Sequence, residues 1–191
     1  ITSDNYAGGQ KAAEALDALI QDAGLTSGQV ASIGSRAGVD TNEKRLAGWQ
    51  DGIEALGYDV VSVQWCNNEP ATAASQAENI LLSYPDIAGF FGGNLFAAQG
   101  CINGVEATGS DAPIVCFDAG EGQVEALTNG SVDALIVQKP MMMGSLAVDY
   151  LVDYFENGTI PEQYTYLEPI ICYQDDLDNE EITQYFYTLD Y

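Results

Sequence analysis

The sequence contains no histidine and only 5 lysine and arginine residues, against 29 aspartate and glutamate residues, so its formal net charge is −24. Without histidine the chain lacks the usual general base near neutral pH and the commonest zinc ligand. Histidine-based catalytic triads and zinc hydrolases are therefore excluded. Because nucleic-acid affinity comes mostly from basic side chains that displace counterions, we also expect no nucleic-acid partner.

Long apolar runs are also missing, since none reaches the roughly 20 residues that a membrane-spanning helix needs. The composition, with 47% hydrophobic and 18% charged residues, is typical of a folded globular chain. The chain begins at Ile1, without an initiator methionine or a recognisable signal peptide. We therefore expect a processed or truncated product.

The four cysteines show no C-x-x-C spacing, so a metal knuckle or a thioredoxin-type redox site has no support. Cys116 and Cys172 lie in short apolar runs, and we expect both to be buried as small hydrophobic residues. An even count permits one or two disulfides but requires none; if a single bridge forms, Cys66–Cys101 is the expected pair. No metal and no other cofactor are expected.

Short apolar runs alternate with helical patterns along the chain, which is typical of βαβ units and a parallel sheet. The patterns predict strands over residues 29–34, 59–64, 87–92, 113–117 and 134–138, and helices over residues 8–23, 42–56, 69–84, 95–108 and 120–129. A further helix over 140–156, a last strand near 169–173 and a tail helix near 179–186 follow. The predicted fold class is α/β, a doubly wound parallel sheet with a return helix and strand.

Ligands of open α/β sheets bind beyond the carboxyl ends of the strands, where loops and helix N-termini converge. Asn94 and Asp118 follow predicted strands there, Gln138 ends another, and Arg45 lies in the first turn of the helix after the first strand. Amide, carboxylate and guanidinium groups together offer the donors and acceptors that suit vicinal sugar hydroxyls.

Each of these residues also has a purely structural interpretation. Arg45 could neutralise Asp40 or Glu43, and Asn94 and Asp118 could simply cap the helices that they precede. No nucleophile with a partnered base stands out, so we expect a binding protein and not an enzyme.

Several stretches, taken in order along the chain, resemble the type I periplasmic sugar-binding proteins, and in particular the ribose-binding-protein-like receptors of ABC importers. They are Ile1-Thr2-Ser3-Asp4-Asn5 with Gly8-Gly9, Arg45 before Gly48-Trp49, Tyr84-Pro85-Asp86-Ile87 leading to Asn94, Ile114-Val115-Cys116-Phe117-Asp118, and Val137-Gln138-Lys139-Pro140 with Met143-Gly144.

The resemblance implies two Rossmann-like lobes that are joined by three crossovers and close over a monosaccharide or related polyol. Residues 4–138 would form the second lobe, 139–167 a return segment belonging to a first lobe that is missing here, and 168–191 the final strand and tail. Arg45, Asn94, Asp118 and Gln138 would hydrogen-bond the sugar.

The resemblance also implies an extracytoplasmic location, in the periplasm or lipid-anchored at the cell surface, and a membrane permease as partner. Without the first lobe, the return helix would leave an apolar face uncovered, including Met143, Tyr150 and Tyr154, so we expect self-association or a rearranged helix.

The chain departs from the family pattern at two positions, which leaves the identity of the sugar open. Leu95 stands where the family often has an acidic residue, and Glu43 where it has a basic one. The alternative is the effector-binding core of a LacI-type transcription regulator. The charge of −24 and the passage from Gln138 to Gly144 favour the importer.

Overall fold

The alternating pattern produces a central sheet with helices on both faces, as seen in a computed structural model that describes residues 1–187. The strands are β1 (Thr2–Ser3), β2 (Gln29–Gly34), β3 (Asp59–Trp65), β4 (Gly89–Gly92), β5 (Ile114–Phe117), β6 (Ala134–Val137), β7 (Tyr166–Leu167) and β8 (Ile170–Tyr173). The helices are α1 (Asn5–Asp22), α2 (Asp40–Ala55), α3 (Pro70–Ser83), α4 (Leu95–Thr108), α5 (Glu121–Asn129), α6 (Pro140–Asn157) and α7 (Glu180–Thr183).

The main sheet has six strands in the order β3-β2-β4-β5-β6-β8. The first five are parallel, which confirms the predicted α/β class, whereas β8 pairs antiparallel with β6. Side chains of successive strand residues point to opposite faces, so Phe90 packs in the core on one side and Phe91 in the core on the other. On that second side the ring of Trp49 stacks on Phe91, with 5.6 Å between centroids.

The predicted element ends are mostly right to within two residues, with three exceptions. α1 begins three residues earlier than predicted, because the Asp4 carboxylate accepts a hydrogen bond from the Ala7 amide at 3.0 Å and caps the helix. The tail helix is wrong in length, since α7 covers only four residues. A two-stranded parallel ribbon of β1 and β7 was not predicted.

Glycines allow α1 and α2 to touch backbone to backbone. A β-carbon at Gly9 would collide with the backbone of Arg45 and Trp49, and one at Gly48 would collide with the Tyr6 carbonyl. Only glycine permits so close an approach. The contact holds the first half of α2, including Arg45, against α1.

Helix α6 lies apart from both cores. None of its 18 residues, all of which the structure describes, is buried. Of the residues expected on its uncovered face, Tyr154 is exposed, but Met143 and Tyr150 are half-buried, and the Tyr150 hydroxyl lies 3.1 Å from Thr165 Oγ1. Other apolar side chains of α6 are more exposed than Tyr154, among them Phe155 at 79%, Met141 at 67% and Leu151 at 58%.

Within residues 1–187, no helix is long and apolar enough to cross a membrane.

All four cysteines are buried and free among the described residues, so the Cys66–Cys101 disulfide, the expected pair for a single bridge, is not formed. The predicted burial of Cys116 and Cys172 is confirmed. Burial raises the pKa of the Cys101 thiol to about 12, which keeps it protonated and unreactive at neutral pH.

Candidate functional site

The four candidate residues meet at the carboxyl ends of the parallel strands. Asn94, Asp118 and Gln138 follow β4, β5 and β6, and Arg45 reaches the same edge from the first half of α2. Asp118 bonds directly to Gln138, Arg45 bonds to the carbonyl of Gly93 beside Asn94, and the Asp118 charge acts on Arg45.

Arg45 is a buried cation held by neutral groups. Its Nη1 donates to the Gly93 carbonyl at 2.6 Å and its Nη2 to Asn5 Oδ1 at 2.8 Å. The guanidinium carbon lies 3.4 Å from the centroid of the Phe117 ring, a cation–π contact. Burial lowers the pKa of Arg45, and the Asp118 carboxylate opposes that shift. The Nε atom is buried without a hydrogen-bond partner among residues 1–187.

The interpretation of Arg45 as a counter-charge for Asp40 or Glu43 is wrong. Among the described residues, Asp40 pairs instead with Lys44 Nζ at 2.9 Å, and Glu43 Oε1 accepts a hydrogen bond from the Gly38 amide at 2.8 Å. Arg45 is the only buried basic residue among residues 1–187, and it bonds to the Gly93 carbonyl beside Asn94.

Asn94 caps helix α4, which confirms the structural interpretation given for it in the sequence analysis. Its Oδ1 accepts a hydrogen bond from the Ala97 amide at 2.9 Å. Its Nδ2 donates to Asn68 Oδ1 at 3.0 Å, which brings the turn after β3 into the site. Asn68 and its neighbour Asn67 both adopt left-handed backbone angles, with φ of 63° and 55°.

Asp118 does not cap the helix that follows it, because Gly120 is the N-cap of α5. Its backbone is left-handed, with φ of 84°, a conformation that costs energy for a residue with a β-carbon and that clusters at functional sites. Its carboxylate accepts three hydrogen bonds, from the Leu95 amide at 3.2 Å, Gln138 Nε2 at 2.5 Å and the Tyr187 hydroxyl at 2.8 Å.

Gln138 joins Asp118 to the first strand of the chain. While its Nε2 donates to Asp118, its Oε1 accepts a hydrogen bond from Ser3 Oγ at 2.6 Å. The site therefore includes Ser3, Asn5, Asn68 and Tyr187, none of which was a candidate from the sequence. Ser3 and Asn5 stand in the opening stretch that carries the resemblance, whereas no sequence signal marks Asn68 or Tyr187.

The arrangement suits a neutral, hydroxyl-rich ligand. A carboxylate and amide oxygens accept hydrogen bonds, amide and guanidinium groups donate them, and the donors are fixed by bonds of their own. Among residues 1–187, no cluster of three or more cysteine, aspartate or glutamate side chains could hold a metal ion.

The chain is similar in sequence to known proteins over most of its length. The family model described as "Periplasmic binding protein domain" matches residues 1–159. The ribose import binding protein RbsB of Haemophilus influenzae is 30% identical over 148 residues, which are 78% of this chain and 49% of the relative. The D-apiose import binding protein of Paraburkholderia graminis is 27% identical over 161 residues, which are 83% of this chain and 50% of the relative.

Solved structures resemble the chain closely in fold. An ABC transporter solute binding protein from Agrobacterium vitis, bound with alpha-D-tagatopyranose, has a TM-score of 0.88 and 29% identity; the match covers 97% of this chain and 62% of that one. A protein of the same kind from Actinobacillus succinogenes, with bound D-allose, has a TM-score of 0.83 and 25% identity, covering 92% of this chain and 60% of that one. The chain spans about half the length of the curated relatives it matches.

Proposed function

The chain belongs to the periplasmic binding protein domain family, and from this premise we propose that it is the ligand-contacting lobe of a solute receptor of an ABC importer. Its ligand is a monosaccharide or a related polyol, and its work is binding and not catalysis. The receptor acts outside the cytoplasm, in the periplasm or lipid-anchored at the cell surface, and delivers the sugar to a membrane permease.

One observation carries this proposal: Arg45, Asn94, Asp118 and Gln138 converge at the carboxyl edge of the sheet, although they lie far apart in sequence. Ligands of open α/β sheets bind at that edge. The named relatives, which are import binding proteins, favour the importer over the LacI-type regulator that the fold alone would also permit.

We further propose that residues 4–138 form the second lobe, that 139–167 are a return segment belonging to the first lobe, and that 168–191 are the final strand and tail, of which 188–191 lie outside the described residues. The isolation of α6 from the cores supports this division, as does the pairing of β7 with β1 outside the main sheet. Closure of the two lobes about the β1–β7 ribbon and its neighbouring connections would enclose the sugar.

Direct titration with sugars tests the proposed function. Because the described site supplies contacts from one side only, we expect the 191-residue chain to bind D-ribose or another monosaccharide weakly, with a Kd of about 1 mM or above. Ligand-observed NMR measures affinities in that range, and D-allose and D-tagatose serve as further probes.

Two matched variants make the test specific. Asp118→Asn removes the charged acceptor, and binding should weaken at least ~10-fold, the effect of losing a hydrogen bond to a charged group. Asp111→Asn makes the same change at an exposed position before β5, at the other end of that strand, and should leave affinity unchanged. Micromolar binding by this chain would contradict the one-sided site, and equal effects of the two variants would contradict the assignment of Asp118.

Self-association through α6 is a separate expectation for the 191-residue chain. With an apolar helix face uncovered, a second copy of the chain is the partner always present in solution. We expect reversible, concentration-dependent dimers by light scattering or sedimentation. The double variant Leu151→Glu with Phe155→Glu places two charges on the exposed face of α6. It also removes two apolar side chains, each of which would stabilise the dimer by about 1.5 kcal/mol or more when buried, so the variant should be a monomer.

Leu82→Glu is the control for this change, because Leu82 is 77% exposed but lies on α3 and not on α6. It should leave dimerisation intact. A wild-type chain that remains monomeric at high protein concentration would contradict the expectation.

A further inference from the structure

The end of the described chain returns to the candidate site. After α7, the Tyr187 amide donates a hydrogen bond to the Ala119 carbonyl at 2.9 Å, and its hydroxyl donates to Asp118 Oδ1 at 2.8 Å. Gln138 Nε2 also lies 3.4 Å from the Tyr187 oxygen. Backbone and side chain of Tyr187 are thus both fixed to the segment that carries the carboxylate.

The bonds to Asp118 leave little of its accepting capacity free. An ionised carboxylate accepts about four hydrogen bonds, two on each oxygen. Oδ1 receives both Gln138 Nε2 and the Tyr187 hydroxyl, and Oδ2 receives the Leu95 amide. Counting the bonds made by residues 1–187, one accepting position therefore remains, on Oδ2.

This count bears on which sugars the site distinguishes. Two neighbouring hydroxyls of a sugar can bind one carboxylate together only if it has two free accepting positions. With Tyr187 in place Asp118 has one, and without the Tyr187 hydroxyl it would have a second, on Oδ1.

We propose that Tyr187 is a specificity-determining residue of the sugar site, which limits Asp118 to a single ligand hydroxyl. The inference rests on the proposed function and adds to it a restriction imposed by the C-terminal tail. Tyr187 remains a neutral donor near neutral pH, since burial and the adjacent Asp118 charge both raise its pKa.

The test compares the wild-type chain with Tyr187→Phe, which keeps the ring and its packing and removes only the hydroxyl. Ligand-observed NMR gives the Kd of D-ribose and of its 1-, 2- and 3-deoxy analogues for both proteins. D-ribose should bind the variant more tightly than the wild type. One deoxy analogue lacks the hydroxyl that makes the additional bond to Asp118. For that analogue, the ratio of its Kd to the Kd of ribose should be about tenfold higher in the variant than in the wild type, which is the effect of one hydrogen bond to a charged group.

Two controls separate this role from a structural one. Tyr185→Phe alters another tyrosine of the same tail, whose hydroxyl contacts only Met142 Sδ among the described hydrogen bonds, at 4.0 Å, and should change no ratio. In an Asp118→Asn background, Tyr187→Phe should no longer change any ratio, because the acceptor that it frees is altered.

A measurement on the wild type does not depend on the folding of any variant. In the chain labelled with [ζ-13C]tyrosine, the Tyr187 resonance should shift over the same D-ribose concentrations that saturate binding. A Tyr187 resonance that stays fixed while ribose binds overturns the inference.

The outcomes distinguish the two levels of the proposal. If ribose binds both proteins and every deoxy ratio is unchanged, the role of Tyr187 is wrong and the proposed function stands. If no sugar binds either protein, the proposed function fails, and the role of Tyr187 fails with it.

Discussion

Arg45→Met is expected to lower the free energy of unfolding by about 3 kcal/mol and to bring sugar binding below detection. The loss of stability follows from two hydrogen bonds to a buried charge, each worth about 1.5–3 kcal/mol, less the cost of desolvating that charge. Without the guanidinium, the Gly93 carbonyl and Asn5 Oδ1 lose their donor in the interior.

Binding should fail for a separate reason. The guanidinium covers the face of Phe117 and is the cation next to Asp118, so its removal changes both the shape and the charge of the site floor. Urea denaturation followed by circular dichroism gives the stability, and ligand-observed NMR with D-ribose gives the affinity.

Two comparisons locate the effect. Arg45→Lys keeps the charge but not the planar fork that reaches two acceptors, so it should lie between the wild type and the methionine variant. Arg36→Met removes a basic side chain that is exposed just after β2 and should change stability by less than about 0.5 kcal/mol. Equal stabilities for Arg36→Met and Arg45→Met would show that the buried network contributes nothing.

Gly9→Ala is expected to destabilise the protein by about 3 kcal/mol, at the upper end for a single overpacked carbon. The added methyl group would meet the backbone of α2 at Arg45 and Trp49, and backbone cannot move aside as a flexible side chain can. The two helices must separate, and Arg45 moves with α2, so sugar binding should weaken as well. Chemical denaturation measures the first effect and NMR titration the second.

The chain provides an opposite control in Gly144→Ala. Gly144 lies inside α6, and a β-carbon there would meet no described atom within 4 Å other than its chain neighbours and the backbone of its own helix. The same substitution should stabilise that helix by up to about 1 kcal/mol, because alanine loses less backbone entropy on folding than glycine. A Gly9→Ala protein as stable as the wild type would mean that the α1–α2 contact is looser than described.

The parallel part of the fold could be predicted because each element carries its own local signal. The predicted bounds of strand β2 and helix α4 are right to the residue, and α4 is followed by Gly109 in the left-handed conformation that favours glycine. The direction of β8 could not be predicted in this way. Its apolar run indicates a strand, but its partner depends on the path of the preceding return segment, which no local pattern encodes.

In the candidate site, too, local sequence patterns identify some residues, whereas others reach the site only through long-range contacts. Asn94, Asp118 and Gln138 could be found because they stand within two residues of the ends of strands, and parallel strands bring such positions to one edge. Asn5 and Tyr187 could not, since each reaches the site through tertiary contacts with residues 40 and 69 positions away. The accepting capacity of Asp118, and with it the inference about Tyr187, depends on those long-range contacts.

The bond between Ser3 and Gln138 has one more consequence. Ser3 belongs to the narrow β1–β7 ribbon, and Gln138 precedes the helix that leaves the sheet, so both ends of this bond lie on connecting segments. Through Gln138 the same chain of bonds ends on Asp118. A displacement of the ribbon relative to the sheet would therefore act on the Asp118 carboxylate through Gln138, and a ligand bound to that carboxylate would oppose the displacement.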